Sequence, residues 1–424
     1  MSNTPVPRER IRERLVLLAL AAAQFTNLVD FVVVMPLGPR IMRSLEIGPQ
    51  QFSLIVSSYT FSASFVAMLA SLVIDRFDRR KSFLAVVVGF TFGTISCALA
   101  GDYASLLVAR VVTGAFGGLL GGLALTIIGE VFPDERRGAA TGAFMGAFSL
   151  ASIVGVPLGL LLANHFDDWH APFAMLSLPS IVSLAAGVWL LPRLDAHLAL
   201  ARPNPLANFA ATLARPIHVW AFFLVASIVM GGFMVVPYLG SYLVINVKID
   251  ESRLFWVYVA GGGATLLTSP LIGRLADRVG RFTLFAWLAP AGGLMMFAAT
   301  SLPVVPLWIA MAVIAALMIG NTGRMIVAMT MVNARIDPQH RGSFMSLSSA
   351  IQHLASGCGA FAAGQIVGSD AAGSLTNFNV VGAFALAASF VSVALATPLR
   401  RPADRPARLR LTTALDRDEY CDAA

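Results

Sequence analysis

The sequence predicts an all-α membrane protein of 12 transmembrane helices, built as two pseudo-symmetric six-helix bundles. Three observations carry that prediction. Hydrophobic residues make up 57% of the 424 and charged residues only 12%, with a mean hydropathy of +0.76, which leaves too little polar surface for a water-facing globule. Apolar runs long enough to cross a hydrocarbon core of about 30 Å follow one another along the chain. The first six are echoed by the last six at an offset of roughly 200 residues. The short alternating segments of a closed barrel do not occur.

The runs predict helices over 15–36, 52–74, 82–100, 103–131, 139–163 and 172–191, then over 218–243, 253–272, 283–300, 304–333, 343–367 and 378–397. Charge or proline punctuates each one. The organisation that follows is an N-terminal segment (1–14), a first bundle (15–191), a linker rich in Pro, Arg and Asn (192–217), a second bundle (218–397) and a charged tail (398–424). Four arginines precede a first helix that has no small-residue cleavage site, so that helix is expected to be retained.

Basic residues orient the helices. With both termini cytoplasmic, 24 of the 30 Lys and Arg fall in cytoplasmic segments, while Arg40, Arg43, Lys248 and Arg253 lie outside and Arg110 and Arg324 lie within helices. The formal charge of +7 therefore reports topology and contact with anionic lipid headgroups, and nucleic acid is not expected as a partner. Arginine outnumbers lysine 28 to 2, and with no targeting signal this points to a bacterial inner membrane. Cys97, Cys358 and Cys421 form no disulfide framework and no metal-ligand spacing.

The internal repeat shows in pairs. Asp75-Arg76 answers Asp277-Arg278 at an offset of 202, Arg137-Gly138 answers Arg341-Gly342 at 204, and Arg110 is matched with Arg324 at 214. Two such halves leave a solute site at their interface, which rocking exposes to alternate sides.

Residues Gly273 through Arg281 read G-R-L-A-D-R-V-G-R. On this motif the chain resembles the major facilitator superfamily, close to its drug and sugar efflux, proton-antiporter branch. The first-half counterpart, Ser71 through Lys81, keeps the charges but has Ser71 and Asp78 where the family has glycine. Arg110-Val-Val-Thr113-Gly114 resembles the family's R-x-x-Q-G motif, with Thr113 for glutamine. Gly155-Val-Pro157-Leu-Gly159 is similar to its antiporter motif, and Trp169-His170-Ala-Pro-Phe173 has His170 where arginine is usual. The resemblance spans nearly the whole chain. Asp75 and Asp277 stand where a carboxylate would cap the positive N-terminus of a helix in the opposite half, and the resemblance implies helices 11 and 5 as the targets; with Arg76, Arg79, Glu130, Arg278 and Arg281 they are expected to form a cytoplasmic gate. The alternative for the arginines is topology alone.

Ionisable residues inside a bilayer are costly and face a cavity or a partner. Asp30, beside Gln24 and Asn27 in helix 1, is the expected proton carrier. Burial favours its neutral acid and a nearby Arg110 favours its carboxylate, so geometry would set protonation. The alternative is a permanent ion pair that only fixes packing. Arg324 in helix 10, with Asn321, is read either as a bidentate contact for an anionic solute or as a structural pair. Gln352 and His353 in helix 11, with Phe233 and Tyr238, complete the expected cavity. Gly114, Gly118 and Gly122, and Gly138, Gly142 and Gly146, recur at four-residue spacing as small packing faces.

There is no nucleotide-binding motif, no extramembrane domain and no nucleophile–base set, so neither an ATP-driven pump nor an enzyme is expected. The expected function is secondary active transport, with a proton gradient as the energy source and no cofactor. Two versions stay open: proton-coupled efflux of small organic or amphipathic compounds, or uptake symport or uniport of a small organic anion. The partners expected are lipid, protons and a small-molecule substrate, and the protein is expected to be a monomer.

Overall fold

The structure, a computed structural model, describes residues 7–195, 198, 205–336, 341–371 and 373–400. The expected tail from 401 onward lies outside them. The described residues are nearly all helix. The first group comprises α1 (Pro7–Val33), α2 (Gly38–Ser44), α3 (Pro49–Val73), α4 (Arg79–Ala98), α5 (Tyr103–Val131), α6 (Asp134–Leu150), α7 (Val156–Phe166) and α8 (Ala171–Leu190). A π turn, Ala151–Gly155, joins α6 to α7. It ends two residues before Pro157, which has no N–H to continue the regular ladder.

The second group is α10 (Pro216–Ile245), α11 (Leu254–Val279), α12 (Arg281–Thr300), α13 (Leu307–Arg335), α14 (Arg341–Ile366) and α15 (Phe378–Ala396). A short α9 (Pro205–Leu213) precedes it, inside the segment expected to be the linker. Between α14 and α15 an antiparallel pair, β1 (Gly368–Ser369) and β2 (Leu375–Thr376), closes a hairpin.

Among the described residues, 11 helices are long and apolar enough to cross a membrane, counting α6 and α7 as one. The 26-residue α14 has the length but not the hydropathy. Its serines, Gln352 and His353 lower it, and they are tolerable because α14 packs between α3 and α10.

Several boundaries differ from the expectation. α1 starts at Pro7, before the predicted 15, and breaks at Val33 before Pro36. α11 runs on to Val279, so most of the Gly273–Arg281 motif is the last two turns of that helix. The break falls at Gly280, whose φ of 98° is open to glycine. Its first-half counterpart, Asp78, has φ −55° and instead caps α4 by accepting from the Arg80 N–H, so that loop turns without a glycine. Asp102 caps α5 in the same way, and the backbone N–H of Ser105 holds its carboxyl below the usual carboxylate range.

The repeat is also corrected. α5 and α13 begin at 103 and 307 and end at 131 and 335, an offset of 204 throughout. Arg324 therefore corresponds to Leu120, and Arg110 to Ile314. The two arginines stand ten residues apart in equivalent helices, about 15 Å along the axis.

The two groups meet along α3 and α14, along α11 with α7 and the π turn, and where α2 touches α10. At mid-depth Ser64 Oγ donates to the Ala350 carbonyl at 2.8 Å. At the end bearing α2, the Tyr238 hydroxyl donates to the Pro49 carbonyl at 2.6 Å, and Gln50 Nε2 to the Val367 carbonyl at 3.4 Å. There too Glu251, just before α11, accepts from Arg40 Nε at 2.8 Å and from Arg43 at 2.6 Å. Arg40 further binds the Ala163 carbonyl and Asn164 Oδ1 at the end of α7. These contacts close the α2 end.

Candidate functional site

Helix α1 carries Asp30, and α5 carries Arg110. The structure brings them together: Arg110 Nη1 donates to Asp30 Oδ1 at 2.7 Å, and both side chains are sealed from solvent. Thr94 of α4 donates its hydroxyl to the second carboxylate oxygen, Oδ2, at 3.1 Å. Both oxygens of the carboxylate are thus satisfied inside one group of helices, the condition for burying a charge.

An aromatic cover lies over the pair. The Arg110 guanidinium carbon sits 4.5 Å from the centre of the Tyr59 ring, a cation–π contact. The Tyr59 hydroxyl donates to Asn27 Oδ1 at 2.6 Å, and Asn27 Nδ2 donates to the Gly117 carbonyl at 3.1 Å. Asn27 is therefore a positioning residue for Tyr59 and not the open cavity wall expected. Phe31 stacks on Tyr59 at 4.9 Å and on Phe233 of α10 at 5.7 Å. The stack runs from one half to the other, and its middle ring, Phe31, is the residue next to Asp30.

The remaining expected cavity residues divide. Gln24, Phe233, Asn321, Gln352 and His353 are half-buried, and Gln352 Nε2 donates to Ser348 Oγ at 3.3 Å. Tyr238 is fully buried and belongs to the closed α2 end through its bond to Pro49, not to a cavity. Arg324 is likewise fully buried. Its Nη1 donates to Ser389 Oγ at 2.7 Å, and its Nη2 to Asn321 Oδ1 at 2.8 Å and the Ile228 carbonyl at 3.2 Å. Met296 Sδ lies 3.8 Å from Nη2. None of these partners is charged, so the structural ion pair considered for Arg324 is not what the helices build.

The expected gate residues keep to their own halves in the contacts described. Arg79 Nε donates to Glu130 at 3.3 Å within the first group. Asp277 pairs with Arg281 across Gly280 at 3.5 Å, with 69% of its side chain exposed. Arg76 and Arg278 are exposed, and the Asp75 side chain lies outside the described residues. Sequence reasoning missed Thr94, Tyr59 and the clasp at Glu251. A signal existed for the clasp: Glu251 stands between Lys248 and Arg253, two of the four basic residues that the sequence sets apart from the rest. Nothing in the one-dimensional pattern singles out Tyr59.

Comparison with known proteins agrees with this architecture. The Major Facilitator Superfamily profile matches residues 20–360 and 221–415. The chain belongs to this superfamily. An uncharacterized MFS-type transporter of Mycobacterium tuberculosis is 31% identical over 179 residues, which cover 42% of this chain and 31% of that protein's length. A probable sugar efflux transporter of Pasteurella multocida is 26% identical over 295 residues, covering 69% of this chain and 71% of the relative. Among solved structures, a bacterial homolog of the human lysosomal transporter Spinster, captured inward-facing and unoccupied, superposes with a TM-score of 0.71. That match is 16% identical and covers 92% of this chain and 98% of the other. At that identity the likeness speaks for the fold alone. The chain is a membrane transporter of the superfamily and not an enzyme.

Proposed function

We propose that this superfamily member is a proton-coupled exporter of small organic solutes that works by alternating access, with Asp30 as the proton carrier. The observation that carries the reading is the buried Asp30–Arg110 pair, one carboxylate sealed inside spanning helices beneath a cover that reaches into the other half. Rocking of the halves moves Phe233 away from Phe31, and the Tyr59 cover then loosens. Water reaches Asp30, which exchanges its proton with the side that is open. With the basic end cytoplasmic and the membrane a bacterial inner membrane, the closed α2 end makes this the inward-facing state, with the Asp75 and Asp277 region as the gate of the opposite state. The protein works as a monomer, without a cofactor. A proton crossing 100 mV supplies about 2.3 kcal/mol, enough to drive a neutral solute out against a modest gradient. The relative named as a sugar efflux transporter supports export of polar organic compounds.

The test uses energised everted vesicles and records whether candidate sugars, drugs or organic acids dissipate the pH gradient. Wild type and Asp30→Glu are expected to respond, and Asp30→Asn not to. Solute movement without proton flux in all three proteins rejects the coupling and leaves a uniporter. Proton and solute moving in the same direction indicates the symport alternative.

A further inference from the structure

The two halves do not carry the same charge. Phe31 and Phe233, which stack on each other across the interface, stand at the offset of 202 that also separates Asp75 from Asp277. At that offset the counterpart of Asp30 is Gly232. A Cβ built on Gly232 would lie 3.7 Å from Arg324 Nη2 and 3.2 Å from Asn321 Oδ1. The second half thus has an arginine next to the place where the first half has its carboxylate, and that place is filled by glycine.

The consequence is a fixed, uncompensated cation. Arg324 is fully buried, all its described partners are neutral, and its Nε–H has no hydrogen-bond partner. Among the described residues the other acids of the spanning helices stand at their ends, so Asp30 is the interior carboxylate and Arg110 already neutralises it. Half-buried Asn321, bonded to Arg324 at 2.8 Å, is the link between this cation and the accessible side of α13.

We infer that Arg324, acting through Asn321, makes the solute path of the second half selective for uncharged or anionic solutes and excludes organic cations. Arg324 is a specificity-determining residue, and Gly232 keeps it unpaired. The inference rests on the transport reading, but not on its proton coupling. A buried charge is screened little by salt and biases the approach of mobile charges nearby.

The test reads the local potential directly and needs no known substrate. Asn321→Cys, in a background with the native cysteines replaced, is reacted in membranes with sulfonatoethyl and trimethylammonioethyl methanethiosulfonate, each rate being normalised to a free thiol. The anionic reagent is expected to be favoured by about tenfold or more, as a nearby uncompensated cation requires. Adding Gly232→Asp, which supplies the missing carboxylate, is expected to bring the ratio near unity, whereas Gly232→Ala, the steric control, keeps it. Arg324→Gln serves as a second route to the same loss. A ratio that does not favour the anion, one that Gly232→Asp leaves unchanged, or an introduced thiol that reacts with neither reagent overturns the inference. Because no proton is measured, these outcomes are separate from failure of antiport through Asp30.

Discussion

At the scale of single residues, what matters is how charges are held away from water. Asp30 meets the conditions for burial: a guanidinium at 2.7 Å, a hydroxyl on its other oxygen and no exposure. Removing one partner of such a pair leaves the other uncompensated, which costs about 3–5 kcal/mol, whereas replacing both by neutral groups costs much less. Asp30→Asn and Arg110→Gln are each expected to lower the unfolding temperature of the purified protein, and the double substitution to lose clearly less than the two effects added. Strict additivity would mean that the 2.7 Å contact contributes nothing. Arg324 marks the opposite case, a guanidinium held by Ser389, Asn321 and a carbonyl with no anion among them.

At the scale of elements, helix contacts distinguish glycines that look alike in the sequence. A Cβ on Gly114 would collide with the Tyr59 carbonyl of α3, and one on Gly118 would come within 2.7 Å of the Ala63 Cβ. The same atom on Gly122, Gly138, Gly142 or Gly146 would meet open space. Part of the repeated small-residue pattern therefore brings α3 and α5 together, and the rest does not. Gly114→Val is expected to reduce the yield of folded, monodisperse protein several-fold, and Gly122→Val to leave it near wild type, as judged by size-exclusion chromatography of membrane extracts. Equal losses at both positions would refute this assignment of the interface. Elsewhere ring nitrogens do the positioning: Trp169 Nε1 donates to Ser44 at 3.2 Å, and His170 bridges Asp168 to the Ala100 carbonyl, tying the α7–α8 connection to its neighbours.

At the scale of the whole molecule, the two halves are clasped at the α2 end by one carboxylate shared between two arginines. Glu251 is 17% exposed, and Arg40 13%, so the bond to Arg40 is shielded enough to matter, while Arg43, at 61%, adds little. Opening that end must break the clasp. Glu251→Gln removes the charge while keeping the shape, and a loss of about 1–2 kcal/mol shifts the balance between states by roughly 5- to 30-fold. Spin labels on α2 and on the start of α11 are expected to report a longer-distance population that grows in Glu251→Gln. An unchanged distance distribution would assign closure to the Tyr238–Pro49 and α3–α14 contacts instead.

Much of this was legible in the sequence, for reasons that are local. Composition dictates a membrane location, because a chain with so few charges has no other way to satisfy its surface. Helix existence follows from run length, and the Asp30 and Arg110 candidates from the cost of placing ions in lipid. What the sequence could not supply depends on contacts between residues far apart in the chain. The matching of Arg110 with Arg324 failed because a residue type was compared without the helix frame, which places them ten residues apart. The cover of Tyr59, Phe31 and Phe233 requires α1, α3 and α10 to converge, and no periodicity within one helix reports that. Charge count and hydropathy by themselves determined that the chain spans a bilayer and which ionisable groups need explaining. Only the tertiary structure decided that Asp30 has its counter-ion and that Arg324 has none among the described residues, because electrostatic compensation is a matter of distance, and distance between helices is set by packing.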